Sequence, residues 1–152
     1  MSDYGFTGTR RGMTGPQKIT YEEVILRDAP GILRQGCCIG ADTDAAVIYK
    51  QAMNSLRTSY KIIGHPSVSL SGDRSCRSEE ALNLCCTLMP EKTPLARNRN
   101  IVNMTHVLVA TPLQLEMMPQ GMGGGTWYTI QYALKCMHTV IIIWPDGRLE
   151  QL

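Results

Sequence analysis

No apolar segment of this chain approaches the ~20 residues that a bilayer-spanning helix requires, which excludes an integral helical membrane protein. Nor is there a secretory n-region with a cleavage-site pattern, and the cysteines show no C-x-x-C spacing. Those cysteines stand as Cys37-Cys38, Cys76, Cys85-Cys86 and Cys136, and adjacent cysteines are badly placed to share one zinc or to bridge each other. The reading is a reduced, cytoplasmic chain whose cysteines are mostly small core residues, with no metal and no cofactor implied. A net charge of +2 is too small for a general nucleic-acid or membrane surface, so basic character is local, at Arg10-Arg11 and at Arg97 and Arg99. Repeats, low-complexity tracts and linkers are also missing. A chain of 152 residues buries roughly two thirds of its unfolded surface, so one domain over 1–152 is expected.

What is present is alternation. Strand-like runs at 4–8, 31–36, 59–64, 105–111 and 139–144 are separated by helix-like stretches at 17–28, 42–56 and 128–138 and by a short helix entered at Pro94. Within the first helix Ile19, Val24, Ile25 and Leu26 are candidates for the buried face. Residues 67–77 read as an exposed loop, 79–89 as helix or strand, 112–120 as an irregular insertion and 148–152 as a tail. This pattern predicts an α/β fold, a doubly wound, mainly parallel sheet of about five strands with helices on both faces.

Three glycine-containing turns link strands to helices: Gly5-Phe6-Thr7-Gly8-Thr9-Arg10-Arg11-Gly12, Gly36-Cys37-Cys38-Ile39-Gly40-Ala41-Asp42 and Gly121-Met122-Gly123-Gly124-Gly125-Thr126-Trp127. In a parallel sheet such turns gather along the carboxyl edge, where ligands bind at the reversal of strand order. Glycine lets backbone N–H groups approach an anion, and the following helix adds the positive end of its dipole. Phosphate contacts are therefore expected from Gly123, Gly124, Gly125 and Thr126, with Gly124→Val expected to block them.

These motifs resemble the SLOG superfamily, the Rossmann-like group that includes the LOG phosphoribohydrolases and the DNA-processing protein A family. Gly8-Thr9-Arg10 is similar to its G-[ST]-R turn, residues 36–42 to its G-x-x-x-G-x-D turn, Arg97-Asn98-Arg99-Asn100-Ile101 to R-N-R-x-I, and Gly123-Gly124-Gly125-Thr126 to its phosphate turn. The ending Gly125-Thr126-Trp127-Tyr128-Thr129 with Ile142-Ile143-Trp144-Pro145-Asp146-Gly147 looks like that of small uncharacterised bacterial and phage SLOG proteins. The resemblance implies a nucleotide or nucleotide derivative bound at the carboxyl edge. It also exposes a departure: LOG enzymes carry P-G-G-x-G-T-x-x-E, and Thr129 stands where their glutamate would. Threonine cannot stabilise an oxocarbenium-like ribose or activate water.

Three carboxylates are candidates to substitute. Asp42 is either a helix cap or an acid, Asp44 complements a helix dipole, and Glu116 either folds over the crevice or is a solvated loop charge. Arg97 and Arg99, two apart on a helix, do not share a face, and the resemblance favours Arg97 as the phosphate-binding arginine. Arg10 can reach a second phosphate or remain a turn charge; Thr7 and Thr9 offer hydroxyls. Gly8, Gly36 and Gly40 shape the turns, and Cys37 and Cys38 pack against ligand or sheet. Trp127 either stacks on a base or belongs to the core. His65 lies at the end of the third strand, near the crevice rim.

The ligand-binding set is thus Thr7, Gly8, Thr9, Arg10, Gly36, Cys37, Cys38, Gly40, Asp42, Arg97, Arg99, Gly123, Gly124, Gly125, Thr126 and Trp127. Three functions follow: a non-catalytic sensor or sequestering protein for an ADP-ribose-like or cyclic nucleotide signal, a nucleoside-monophosphate N-glycosidase with a relocated carboxylate, or a DNA-binding accessory protein. The low net charge disfavours the last. A homo-oligomer is expected through helix faces, with Met117-Met118-Pro119 as an adaptable contact or a lid.

Overall fold

The computed structural model describes residues 2–152. Its elements run β1 (Asp3–Gly8), α1 (Gly15–Asp28), β2 (Ile32–Gln35), α2 (Ala41–Ser55), β3 (Lys61–Gly64), α3 (Glu79–Leu84), β4 (Thr87–Leu88), α4 (Pro94–Asn103), β5 (Val107–Thr111), α5 (Gly124–Lys135), β6 (Thr139–Ile143) and β7 (Leu149–Gln151). They form one seven-stranded sheet of order β4-β3-β2-β1-β5-β6-β7, parallel throughout except for β7, which pairs antiparallel with β6. No helix among the described residues is long and apolar enough to cross a membrane.

The two strands beyond the expected five are both short edges. Residues 79–89 supply both predicted alternatives in succession, a six-residue helix and the two-residue β4. The tail folds back as β7 because Pro145-Asp146-Gly147 makes a tight turn, closed by Gly147 N donating to Trp144 O at 2.8 Å.

Strand alternation sorts the core into two layers. Phe6, Leu33, Val109 and Ile141 face α1 and α2, where they meet Tyr21, Val24, Ile25, Ala45, Tyr49 and Met53. Leu108, Ala110, Val140 and Ile142 point the other way, against Val102 of α4 and Trp127, Ile130 and Ala133 of α5. Helix α1 starts at a capping box, with Thr14 and Gln17 satisfying each other's backbone N–H groups and Pro16 in the first turn. Its buried face is Gln17, Tyr21, Val24 and Ile25; Ile19 is 65% exposed and Leu26 38%, contrary to expectation. Gln17 takes the inward place by donating from Nε2 to the carbonyls of Pro112 and Ile143, so a polar side chain ties the helix to the ends of two strands.

Residues 67–77 are not simply an exposed loop. Ser67 bridges to Lys92 and Cys38 to Arg77, while Ser67 and Cys76 are buried. Arg74 and Arg77 both pair with Glu91, whose carboxyl the two guanidinium hydrogen bonds hold down at about 2. The excursion between β3 and α4 is therefore laced to the β2–α2 turn.

Candidate functional site

Strands β1, β2 and β3 step outward in one direction; the chain then returns to place β5 on the other side of β1. At this reversal, beyond the carboxyl ends of β1 and β5, lies a crevice of about 340 Å³, at the small end of the roughly 300–1,000 Å³ of small-molecule sites. The end of β1 and the turn after it contribute Thr7, Gly8, Thr9 and Arg10, and the turn from β2 into the start of α2 contributes Gly36, Cys38, Ile39 and Asp42. Helix α4 adds Pro94, Leu95, Arg97, Asn98 and Ile101, and Gly123, Gly125 and Thr126 close it at the head of α5.

Arg97 is buried and organises the β2 turn. Its Nη1 donates to the carbonyls of Gly36 at 2.6 Å and His65 at 3.1 Å, its Nε donates to Asn98 Oδ1 at 2.7 Å, and Nη2 lies 3.7 Å from Cys38 Sγ. Those four contacts leave one of five guanidinium N–H donors for a ligand. Asp42 is also buried; its Oδ2 accepts from Cys38 N at 3.2 Å. Burial raises the Asp42 pKa, and the Arg97 charge opposes that rise without a direct ion pair. Between the two lies Gly36, where a Cβ would stand 2.7 Å from Asp42 Oδ2 and 2.8 Å from Arg97 Cζ. Close approach dictates glycine there. Gly36→Ala is expected to displace Arg97 and loosen the turn, read as lost amide hydrogen-exchange protection across residues 36–42.

Helices α1 and α3 begin on side-chain caps, whereas α2, α4 and α5 begin without one, α5 at Gly123. Its first N–H groups are therefore available to an anion at the crevice, aligned with the helix dipole. Gly123 sits at φ 90, and a Cβ there would collide with the Trp127 ring. The hydroxyls of Thr9 and Thr111 are buried with no hydrogen-bond partner among the described residues, and Thr9 lines the crevice. Arg10 stands exposed at the rim.

Seven of the sequence-derived candidates fall outside this lining. Trp127 is fully buried against Trp144 and donates from Nε1 to Gln114 Oε1 at 2.8 Å, so it is core and not a stacking surface. Arg99 points away and donates to Tyr128 Oη at 2.7 Å. Gly124, at φ 78, has nothing within 4 Å of where a Cβ would be, so valine there strains the backbone without entering the crevice. Gly40 backs onto the Arg10 main chain, and Cys37 turns its sulphur beneath the sheet edge toward Cys85. Asp44 accepts from Met13 N at 2.9 Å, and Glu116 stays exposed in the 112–123 loop. Thr129 is buried one turn below Thr126 and donates to Gly125 O at 2.8 Å. A glutamate there enters packed core, so Thr129→Glu is expected to destabilise the fold.

Cys38, although in the crevice, has a thiol pushed up to about 12 by burial and the nearby Asp42 charge, which argues against a nucleophilic role. His65 lies beneath the crevice and not at its rim. Sequence reasoning missed Asn98, Leu95 and Ile101 as lining residues, whose signal was their place around the arginines of α4. No group of three or more His, Cys, Asp or Glu side chains among the described residues is arranged to hold a metal.

No protein-family model matches the sequence, and no curated protein matches it. Solved structures do. TM1055, a structural genomics target, superposes with a TM-score of 0.59 at 11% identity, over 92% of this chain and 72% of its own. DNA processing protein A from Streptococcus pneumoniae gives a TM-score of 0.65 at 15% identity, over 93% of this chain. The chain spans 50% of that protein's length. These likenesses show a Rossmann-like α/β fold.

Proposed function

We propose that this chain is a SLOG-like nucleotide-binding domain that holds a nucleotide-derived signalling molecule, ADP-ribose-like or cyclic, as a non-catalytic sensor or sequestering protein of the kind used in bacterial or phage immunity. The observation that carries the reading is the meeting of an uncapped α5 N-terminus, the free Thr9 hydroxyl and one spare Arg97 donor in a single crevice at the switch point. The phosphate rests on the N–H groups around Gly125 and Thr126. Leu95, Ile39 and Leu113 supply an apolar wall for the base.

Mass spectrometry of small molecules released from purified protein tests this directly, followed by calorimetric titration with ADP-ribose and cyclic mononucleotides. Gly125→Val is expected to lose at least tenfold in affinity, since its side chain enters the crevice beside Asn98, at the cost of one well-made anion contact. Gly124→Ala loses roughly 1 kcal/mol of stability to its positive φ and keeps its affinity. Equal effects of the two would remove the phosphate assignment.

One observation favours a second reading, nucleoside 5′-monophosphate N-glycosidase: Asp42 is the one carboxylate lining the crevice among the described residues, and burial raises its pKa above the ordinary value. The non-catalytic reading expects no free base from nucleoside monophosphates. Base release that falls 10²–10⁴-fold, roughly, in Asp42→Asn would promote the enzyme.

A homo-oligomer accompanies the proposal. Leu113, Leu115, Met117 and Met122 leave an apolar loop exposed beside α5, and a second copy is the proposed cover. Sedimentation that stays monomeric at every concentration would remove it.

A further inference from the structure

Four of the six cysteines meet in two pairs between the 36–42 crevice turn and the two flanks of α3: Cys38 with Cys76 before the helix, and Cys37 with Cys85 at its end. We propose that Cys37 and Cys85 are a modification site, closed to an intramolecular disulfide by a small-molecule disulfide such as oxidised glutathione, which fastens the crevice turn to α3. The pairing stands whatever the crevice binds.

The sulphurs are 3.8 Å apart, with no side chain between them. Gly64 makes the room: a Cβ there would stand 2.5 Å from Cys37 Sγ and 2.8 Å from Cys85 Sγ. Gln35 orients both, donating from Nε2 to Cys37 Sγ at 3.5 Å and Cys85 Sγ at 3.3 Å while its Oε1 accepts from Cys37 N at 2.6 Å. The backbones are already fastened nearby, since Ser78 N donates to Cys37 O at 2.9 Å. A bond of about 2.05 Å asks only that the sulphurs close by less than about 2 Å.

Exposure fixes the order of events. Cys37 is wholly buried, whereas Cys85 is partly exposed at the end of α3. Either sulphur can donate across this contact, and the Cys85 thiol also donates to Ala81 O at 3.2 Å; contact with Cys37 lowers the Cys85 pKa, while contact with Cys85 and burial raise that of Cys37. The Cys85 thiolate attacks one sulphur of the external disulfide and displaces one thiolate, forming a mixed disulfide. Cys37 then loses its proton and attacks Cys85 Sγ, and the second external thiolate leaves. Two protein thiols are oxidised and one external disulfide is reduced to two thiols. Cys38 remains a thiol, held beside Arg97.

The test incubates the full chain with oxidised glutathione, blocks residual thiols by alkylation and maps the peptides by mass spectrometry. The expected product has lost two hydrogens, joins Cys37 to Cys85, and melts roughly 10 °C higher, the effect of closing a loop across 48 positions. Dithiothreitol reverses both changes. The Cys38→Ser, Cys86→Ser double variant retains the crosslink and removes ambiguity from the adjacent cysteines, whereas Cys85→Ser abolishes crosslink and melting shift together. Glutathione confined to Cys86 or Cys136 with Cys37 still reduced, or a Cys38–Cys76 link in its place, would overturn the proposal.

Discussion

Replacing Arg97 with methionine is expected to lower the unfolding free energy by about 3–5 kcal/mol, measured by urea denaturation, the loss typical of removing one partner from a buried charged cluster. Methionine keeps much of the volume of the stem, so the loss reports the guanidinium and not a cavity. Without it the carbonyls of Gly36 and His65 lose their donors, each at about 1–3 kcal/mol if left unsatisfied. Asp42 in turn loses the positive charge that opposes its burial. The two contributions separate in a double-mutant cycle. Asp42→Asn removes the need for a countercharge, so the loss on Arg97→Met is expected to shrink by about 1–3 kcal/mol in that background. Full additivity would mean that Arg97 acts only through the carbonyls, and a loss under about 1 kcal/mol would mean that it is an ordinary surface charge. The same residue that resemblance assigns to a phosphate is thus, in this chain, first a clamp on the turn after β2.

That double duty explains how far the sequence could be read. The parallel sheet was legible because Val107–Thr111 and Thr139–Ile143 are β-branched runs bounded by turn residues, and because the helices between them carry apolar periodicity. The edge strands were not. Thr87–Leu88 is too short to have a period, and Leu149–Gln151 is stabilised by pairing with β6 and not by its own composition. The glycine turns meet at one crevice, but their sequence did not tell which glycine faces it. Gly123, Gly124 and Gly125 are identical in sequence; only the helix start, with positive φ at the first two, turns Gly125 inward and Gly124 out. Trp127 had two readings, and burial against Trp144, contributed from beyond β6, decided for the core. Long-range contacts of that kind leave no local signature. The pairing of Cys37 with Cys85 was hidden for the same reason, since it depends on β2 and β3 lying side by side and on α3 packing over them.

Acid is expected to weaken the fold through His65. Its Nε2 lies 3.3 Å from Arg34 Nη1 and its Nδ1 3.4 Å from Asn100 Nδ2, two groups that can only donate, so the neutral ring accepts from one of them and a protonated ring would face donors on both sides. Burial, then the charges of Arg34 and Arg97, lower its pKa from 6.5 to about 4. Between those values the unfolded chain binds a proton that the native chain refuses, so stability is fully present above pH 6.5 and falls as the pH drops toward 4. The shift corresponds to roughly 3 kcal/mol lost by pH 4. Asp42, whose pKa is raised by burial, contributes with the opposite sign. His65→Gln separates the two, because glutamine offers an oxygen to Arg34 but does not titrate. Urea midpoints measured from pH 7.5 to 4 are expected to converge as the pH falls, with the parent protein losing about 3 kcal/mol more than the variant. Parallel slopes would show that the ring is free to take up its proton in the native state, and that the Arg34–His65–Asn100 cluster is not the acid-sensitive point of the fold.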